Sequence, residues 1–585
     1  MSFTWYGNQS PVEGRNLGPL ALIVPLLERM DVAGIIDRHI PADPQAEYSY
    51  GRILSLLIAA RVHSPVALSN IADWAEKVGA ELLWGIPLEK LNDDRFRRAL
   101  DAFFPLRHSI LGSIALHVSK EFKVPFRDVH YDPTHLLMTG AYENAVPREP
   151  VIGASADGVP TVRIDGQLGP AHITRGRATD DAPNGSSMIH VGLSTVVDEW
   201  GPLPIFGHTV DGNQNGRTAI AEQFAIWLKF LPFKKVTMIS DRGTVSAGHL
   251  LRVKNAHGYA ICSAPWKEFE TLFDEQYSSL KWKTASYLSI EQQRRRTANS
   301  ELPHEHYELA EVSHRLHDDD SGQKIRVRAI FVYSTADEKV VRKQRQKQID
   351  KLKKDLEYLQ KSVAGGHRGT DADAVKRRVG KIFGSKEAAR YFHWELQPLS
   401  AEEREALPKP KAGCKKPAHQ FSFTFDAAAV TADEKYDGYS VIVATVPKSQ
   451  STTDEIFTRF KQQAYSEQVN SEFKGPLAVR PVFLHTPERV ESLVFLLMIA
   501  LTLYYLLQRQ YRQALPATTT TQERRTTTQT LMRAFNSYTI LIIRKPCGRE
   551  VHATQLTRRQ RQILQRLGFP TPAELLRRRL PRPPE

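Results

Sequence analysis

The feature that most constrains the fold is the order of strand-like and helix-like segments in the first half of the chain. Residues 129–132 alternate apolar and polar side chains, and residues 189–197 are rich in β-branched side chains. A third strand pattern begins at residues 201–205, helical periodicity covers residues 218–231, and a short apolar strand follows at residues 236–239. Three strands, a helix and a further strand predict an α/β fold built around a sheet.

The segment before this sheet has a different pattern. Apolar residues recur at helical spacing in residues 20–30 and 53–62. Asn92, followed by Asp93 and Asp94, is typical of a helix start, because acidic side chains are favourable near the positive end of the helix dipole. We therefore predict a helical N-terminal region.

The chain carries a basic surplus, with 79 Lys and Arg against 65 Asp and Glu and a formal net charge of +14. Such a surplus favours a polyanionic partner, because each phosphate that is neutralised releases a counterion. Nucleic acid and an anionic membrane are both compatible with the charge alone. The sequence has no Walker loop and no Rossmann fingerprint, so it does not indicate a reaction driven by a nucleoside triphosphate.

Cysteine usage and hydropathy argue against a zinc-knuckle protein, a disulfide-stabilised protein and a membrane-spanning protein. The three cysteines, Cys262, Cys414 and Cys547, are scattered singly, which predicts neither a zinc knuckle nor a disulfide framework. A reducing cytoplasm fits this usage, and the N-terminus lacks the pattern of a signal peptide. The longest apolar run, residues 493–507, is shorter than the about 20 residues that a membrane span needs. We interpret it as a buried helix.

Two acidic residues stand at the ends of predicted strands. Asp132 closes the strand at residues 129–132, and Asp241 follows the strand at residues 236–239, just before Arg242. Period-two geometry puts Asp132 on the same face as His130. Hard cations such as Mg²⁺ prefer oxygen ligands, and two of them can neutralise the charge that develops in phosphodiester chemistry. Both aspartates are candidate ligands, with a turn or cap role as the alternative for each.

The residues around these acids resemble those of a known family. Residues 131–135 (YDPTH) resemble the first-Asp motif of the DDE transposases of bacterial insertion sequences, in the insertion-sequence-four superfamily and its sixteen-thirty-four-like branch. Residues 211–213 (DGN) resemble the turn before the second Asp, and residues 240–243 (SDRG) resemble the second-Asp motif. The resemblance spans most of the chain.

The third motif of that family is Y-x2-R-x3-E-x6-K on a helix. Here the same spacing reads Phe460, Gln463, Glu467 and Lys474 within a helix predicted from residue 453 to about residue 474. About seven residues make two helical turns, so the Phe, the Glu and the Lys are expected on one face. Phe in place of Tyr loses a hydroxyl, and Gln in place of Arg loses a charge.

The region after this motif also resembles the family, at residues 479–482 and 488–491. Glu472 is the alternative third acid if Glu467 is misassigned.

The resemblance implies a function and a site. It implies an α/β, ribonuclease-H-like catalytic core that is interrupted by a largely β insertion domain and preceded by a helical N-terminal domain. Asp132, Asp241 and Glu467 would hold two Mg²⁺ ions, with Mn²⁺ as a substitute, for cleavage and strand transfer in cut-and-paste DNA transposition. The residues implied to contact DNA are Lys474, Gln463, Phe460, Arg480 and Arg242.

The implied partners are double-stranded DNA with terminal inverted repeats, target DNA and a second copy of the chain in a homodimeric synaptic complex. No membrane partner is implied, and the expected location is the cytoplasm, in association with the nucleoid.

We predict five regions along the chain. They are a helical N-terminal domain with possible DNA-end binding (residues 1–120), the first part of the catalytic core (121–250), an insertion domain that is β-rich with a long charged helix (251–435), the second part of the core with the Glu helix (436–515), and a Thr-rich connector with a basic C-terminal region (516–585).

Two alternatives to a transposase remain open. One is a metal-dependent DNA nuclease that cuts without strand transfer, which would need the same three acids. The other is a decayed or domesticated transposase that only binds DNA.

Several other residues near these motifs have two interpretations. Base stacking by an insertion tryptophan is implied by the family, and the alternatives to it are core packing or surface exposure; the candidates are Trp266, Trp282 and Trp394. For the histidines near the motifs, neutral packing or a hydrogen bond to a metal ligand is expected rather than direct metal ligation; these are His130, His135 and His208.

Overall fold

The computed structural model describes most of the chain. The described residues are 4–5, 12–41, 43–138, 142–154, 160–176, 186–241, 246–288, 306–367, 371–409, 415–475, 484–545 and 548–579. They divide into a first unit, made of Met1–Ala264, His314–Arg328 and Val443–Glu585, and a second unit, made of Pro265–Ser313 and Ala329–Ile442. The fold is mixed α/β, with a helical N-terminal region and a multi-stranded mixed sheet.

The strands and helices are numbered here in chain order. The strands are β1 (Thr4–Trp5), β2 (Val12–Arg15), β3 (Asp128–Leu137), β4 (Ile152–Ala154), β5 (Pro160–Val162), β6 (Thr174–Arg175), β7 (Ser187–Asp198), β8 (Gly201–Asp211), β9 (Thr237–Ser240), β10 (Tyr259–Ala264), β11 (Lys283–Thr284), β12 (Tyr307–His317), β13 (Lys324–Ser334), β14 (Phe392–Pro398), β15 (His419–Phe425), β16 (Tyr439–Ala444), β17 (Ile540–Lys545) and β18 (Gly548–Ala553). The helices are α1 (Leu20–Arg29), α2 (Val32–His39), α3 (Tyr50–His63), α4 (Ile71–Val78), α5 (Ala80–Trp84), α6 (Asp93–Phe103), α7 (Arg107–Glu121), α8 (Gly216–Phe230), α9 (Ala247–Asn255), α10 (Glu270–Gln276), α11 (Thr335–Ala364), α12 (Ala372–Phe383), α13 (Ala401–Ala406), α14 (Ala427–Glu434), α15 (Thr453–Lys461), α16 (Ala464–Lys474), α17 (Pro487–Gln513), α18 (Thr521–Arg524), α19 (Thr528–Arg533), α20 (Arg558–Leu567) and α21 (Pro572–Arg579).

The N-terminal region is helical, as the sequence predicts. Its described residues contain the helices α1 to α7. The predicted start at Asn92 is confirmed, since its side chain accepts a hydrogen bond from the backbone N–H of Arg95 and caps α6. This bond satisfies one of the backbone donors that a helix start leaves unpaired.

The central sheet of the first unit is mixed. Strand β7 lies antiparallel to both β3 and β8, whereas β9 is parallel to β3 and β10 is parallel to β9. The order across this part of the sheet is therefore β8, β7, β3, β9, β10. Helix α8 connects β8 to β9, and α9 connects β9 to β10. The sequence analysis assigned residues 259–263 to the insertion, but their pairing with β9 puts β10 in this sheet.

Strand β3 is longer than predicted. It continues through Pro133 to Leu137, so Asp132 lies within the strand rather than at its end. Pairing with β9 stops at Tyr131, which lies opposite Ser240, while pairing with β7 continues. Beyond Tyr131, β3 has a neighbouring strand on only one side. Proline, which has no backbone N–H to donate, is tolerated at such an edge position.

The predicted helix over residues 453–474 is two helices. Thr452 and Glu455 form a reciprocal capping box that starts α15, which ends at Lys461. Helix α16 then begins after Gln463, whose side chain bonds to β3 instead of extending into solvent. Phe460 consequently lies on a different helix from Glu467, and the expectation that both share one helix face is wrong.

Helix α17 forms the apolar centre of the first unit. It contains the run of residues 493–507 and packs against β8, α1, α3 and α6. Within the described part of the chain, it is the one continuous helix long and apolar enough to span a membrane, with a mean hydropathy of 2.1, and its apolar window is 100% buried in the protein. This burial confirms the prediction of a buried helix.

The two ends of the chain meet in a second sheet of the first unit, with the order β1, β2, β17, β18. The sequence analysis separated these ends into residues 1–120 and 516–585. The Thr-rich stretch, expected to be a solvated connector, contains α18 and α19, which Thr520 and Thr527 cap. The basic residues 577–579 belong to α21.

The second unit is mixed rather than largely β. Helix α11 packs its apolar seam (Ile349, Leu352, Leu356, Leu359) against α12 and the hairpin of β14 and β15. Gly365 ends α11, and the next residue, Gly366, has a φ of +61°, a conformation that favours glycine.

Candidate functional site

Asp132 and Asp241 lie on neighbouring parallel strands of the first unit. The register of β3 and β9 sets Tyr131 opposite Ser240, so the two aspartates are the next residues along each strand. Parallel strands end at the same edge of a sheet, and both carboxylates therefore lie at one edge. Asp241 is exposed and accepts a hydrogen bond of 2.7 Å from the hydroxyl of Ser263 at the end of β10.

Helix α16 brings Glu467 to these aspartates. The helix packs on β3, where the side-chain amide of Asn470 donates a 2.8 Å hydrogen bond to Oδ2 of Asp132. Glu467 is exposed and lies one turn before Asn470. One helix face thus carries Glu467, Asn470 and, at its last residue, Lys474.

Gln463 fixes the start of this helix against the same strand. Its Nε2 donates to the carbonyl oxygen of Tyr131 at 3.2 Å, and its Oε1 lies 3.0 Å from Nδ1 of His130. His130 and Asp132 therefore both face α16, as the period-two alternation of the strand predicts.

The electrostatics of the site couple the three acids. Partial burial, and then the negative charges of Glu467 and Asp241, raise the pKa of Asp132 to about 7. The hydrogen bond from Asn470 and the positive charge of Lys474 act in the opposite direction. The sequence predicted these three carboxylates, and the structure brings Glu467 and Asp241 within electrostatic range of Asp132.

The donor set has the chemistry of a hard-cation site. Three carboxylates supply only oxygen, the ligand that Mg²⁺ prefers, and a bound cation would offset the repulsion that Asp132 experiences. Among the described residues, however, no group of three or more His, Cys, Asp or Glu side chains converges closely enough to hold a metal ion. Residues 242–245, which follow Asp241, lie outside the described part of the chain.

The predicted DNA-contacting residues differ in where the structure places them. Lys474 is half-buried and its charge reaches Asp132. Phe460 is half-buried on α15. The side chain of Gln463 is 9% exposed and both ends of its amide are bonded inside the protein, so its contact with DNA stays a prediction. Arg242 and Arg480 lie outside the described residues.

The alternative third acid, Glu472, faces away from the aspartates. Its side chain is hydrogen-bonded to Tyr504 of α17, and burial raises its pKa. Glu467, whose charge acts on Asp132, is therefore the better third acid.

Sequence reasoning missed Asn470 and Ser263, which contact the two aspartates directly. Asn470 could have been found, because it lies one helical turn from Glu467 on the same face. Ser263 could not, since only the pairing of β10 with β9 brings it beside Asp241.

The other candidates have structural roles. Burial lowers the pKa of His130 to about 4 and that of His208 well below its ordinary value, and His135 is also buried, as expected for neutral packing. Cys262 is buried, and burial raises the pKa of its thiol to about 12. The three candidate tryptophans contact aromatic rings of the second unit: Trp266 contacts Phe273 and Phe331, Trp282 contacts Tyr439, and Trp394 stacks on Phe421.

One family model matches the chain. Residues 12–115 match a domain of unknown function, DUF4277. This domain family is found in transposase-like proteins. The match covers the helical N-terminal region with β2, and ends before the strand that carries Asp132. A search of curated proteins found no match to the chain.

Proposed function

We propose that this protein is a DNA transposase of the DDE type, with Asp132, Asp241 and Glu467 as its catalytic carboxylates. One observation carries the proposal: two acids follow adjacent positions of parallel strands, and the charge of a third, on a helix packed against one of these strands, acts on the first, Asp132. The match of residues 12–115 to a domain of transposase-like proteins supports it independently.

The strand order supports the ribonuclease-H-like core that the sequence resemblance implies. Three antiparallel strands that are adjacent in the sheet (β3, β7, β8) are followed in the chain by a helix and by two strands that run parallel to β3. Since unrelated activities share folds, the functional argument stands on the site rather than on this order.

The chemistry assigns a role to each group. Two Mg²⁺ ions, held by the three carboxylates, would neutralise charge on the attacking and leaving oxygens. In cleavage, a water oxygen bonds to phosphorus and the bond to the 3′ oxygen breaks, which leaves a 3′-hydroxyl and a 5′-phosphate. In transfer, that 3′ oxygen bonds to a target phosphorus and the target's own 3′ oxygen leaves. Lys474 would contact a phosphate beside the carboxylates.

The proposed partners are double-stranded DNA with terminal inverted repeats, target DNA and a second copy of the chain. The proposed location is the cytoplasm, with the protein associated with the nucleoid.

The test is cleavage and joining of DNA taken from the ends of the element that encodes the protein, with Mg²⁺ or Mn²⁺. We expect Asp132→Ala, Asp241→Ala and Glu467→Ala each to abolish both reactions, and Glu472→Ala to retain them. Undiminished cleavage in any one of the first three would remove that residue from the site. Cleavage without joining would identify a nuclease instead.

A second candidate is a protein that binds DNA without cutting it. The lack of a convergent group of metal ligands among the described residues favours this candidate. It predicts binding of end DNA that is independent of divalent cations, no cleavage in any buffer, and unchanged affinity in the three alanine variants.

A further inference from the structure

The strongest unassigned contact beside the carboxylates is the hydrogen bond from Asn470 to Asp132. The donor–acceptor distance is 2.8 Å, and Asn470 is 8% exposed. With Oδ2 of Asp132 accepting this hydrogen bond, Oδ1 is the more available oxygen for a cation. The bond thus restricts the rotation of a carboxylate that needs a defined orientation to act as a ligand.

Asparagine is an unfavourable residue at position 470 unless an interaction of its side chain offsets the cost. It lies inside α16, where Asn is a poorer helix former than Ala or Leu. Its Oδ1 is buried and has no hydrogen-bond partner among the described residues, which costs stability. The favourable interaction that Asn470 makes is therefore its hydrogen bond to Asp132, rather than packing of the helix.

The position of α16 along β3 is fixed by other contacts, which hold Asn470 beside Asp132. Gln463, about two turns earlier on the same face, is bonded to both His130 and Tyr131 of β3. These bonds fix how α16 lies along the strand, so that Asn470 meets Asp132 and Glu467 stands one turn away.

The chemical type of the donor also matters. A Lys or Arg at this position would neutralise Asp132 and compete with a cation, and an Asp would add a fourth negative charge. An amide donates one hydrogen bond and adds no charge.

We propose that Asn470 is a positioning residue that holds the Asp132 carboxylate in the orientation required for divalent-cation binding. This inference rests on the proposed function. It assigns Asn470 no contact with DNA and no part in proton transfer.

The test compares the full-length wild type with Asn470→Leu, which keeps the branched side-chain shape and removes the donor. The readout is the Mg²⁺ or Mn²⁺ concentration that half-saturates the rise in melting temperature, measured without DNA. Loss of a side chain that orients a metal ligand typically weakens metal binding by about 10- to 100-fold, and we expect Asn470→Leu to raise this concentration by about tenfold or more. Its melting temperature without metal should be modestly lower than that of the wild type, because the Asp132 carboxylate loses a hydrogen-bond donor, and this value checks that the variant folds.

Gln468→Leu is the matched control, since Gln468 is exposed on the same helix and should leave the metal response unchanged. In cleavage assays, Asn470→Leu should lower kcat and leave KM for end DNA unchanged. If the wild type responds to the metals and Asn470→Leu responds at the same concentration, the inference is overturned and the proposed function stands. If the melting temperature of the wild type does not respond to either metal, both the inference about Asn470 and the proposed function are overturned.

Discussion

Arg107 and Glu491 form an ion pair of 2.6 Å inside the first unit, although they are 384 residues apart in the chain. Both side chains are almost completely shielded from solvent, with exposed fractions of 0% and 2%. Arg107 also donates to the carbonyl oxygens of Leu168 and Gly169, and Glu491 accepts from the N–H of Ala171. The pair thus connects α7, α17 and the segment between β5 and β6.

Breaking this pair should be severely destabilising. Arg107→Leu leaves the carboxylate of Glu491 buried without its cation, and loss of one partner of a buried pair costs about 3–5 kcal/mol. We expect that loss in the free energy of unfolding, measured by urea denaturation. The double variant Arg107→Met with Glu491→Leu should recover part of it, because no lone charge remains. The matched control is Arg98→Ala, which removes an exposed pair with Asp94 and should change stability by about 0.5 kcal/mol or less. A loss in Arg107→Leu no larger than in this control would contradict the assignment.

Two aspartates on β3 should respond in opposite directions to the same substitution. Asp132→Asn removes a charge that Glu467 and Asp241 repel, so the variant should be more stable than the wild type by about 1 kcal/mol at pH 8 without metal. Asp128→Asn breaks a bidentate pair with Arg459 and should be less stable. Thermal unfolding at pH 8 measures both changes. Destabilisation of equal size in the two variants would show that Asp132 is not under electrostatic strain.

Much of the core was accessible from sequence because its signals are local. The alternation in β3 and β7, the periodicity of α8 and the cap at Asn92 each depend on neighbouring residues, and the structure has these elements within a few residues of their predicted bounds. The prediction that Glu467 and Lys474 share one helix face also agrees with the structure, because both residues lie within α16.

The errors arose where distant parts of the chain decide the structure. The break before α16 follows from the bonds of Gln463 to a strand more than 300 residues earlier, since its partner Tyr131 is 332 residues away. The strand β3 passes Pro133 because β7 supports it. The pairing of β2 with β17 joins the two ends of the chain. No local pattern contains these partners.

A buried histidine pair should make the protein sensitive to acid. Nε2 of His108 lies 3.0 Å from Nδ1 of His208, and the charged groups around them are Asp165, Arg107, Glu491, Arg148 and Glu222. Burial lowers the pKa of His108 from 6.5 to about 4, so between these values the unfolded chain binds a proton that the folded protein does not. The contribution of His108 to stability is therefore present above pH 6.5 and is lost as the pH falls towards 4.

The loss from His108 alone should reach about 3 kcal/mol, since one pKa unit corresponds to about 1.4 kcal/mol. Urea unfolding between pH 7 and pH 4 measures it. His108→Asn should be less stable at pH 7 and show a flatter pH profile. His552→Asn, at an exposed position, is the control and should keep the wild-type profile. An equally steep profile in His108→Asn would exclude this residue as the source.

The C-terminal helices should contribute to DNA binding through arginines. From residue 548 to residue 579 the chain has eight arginines, two glutamates and no lysine. Exposed arginines of α20 (Arg558, Arg559, Arg561) stand on a helix whose other face is buried at Ile563, Leu564 and Leu567, so the protein presents them on a fixed surface. Arginine binds phosphate with two parallel hydrogen bonds and keeps its charge at all relevant pH values.

Replacing these three arginines by glutamine should weaken binding of any duplex DNA, end or non-end, and reduce the dependence of log affinity on log salt by up to about three. The folded state should be unaffected, because the buried face of α20 is unchanged. Arg566→Gln is not suitable as the control, since Arg566 is paired with Glu523 and bonded to Tyr511. A triple glutamine variant at the exposed lysines of α11 (Lys343, Lys347, Lys351) removes the same charge from the second unit and serves instead. If both triple variants lose affinity and salt dependence equally, the effect is one of net charge, and the specific role of α20 is excluded.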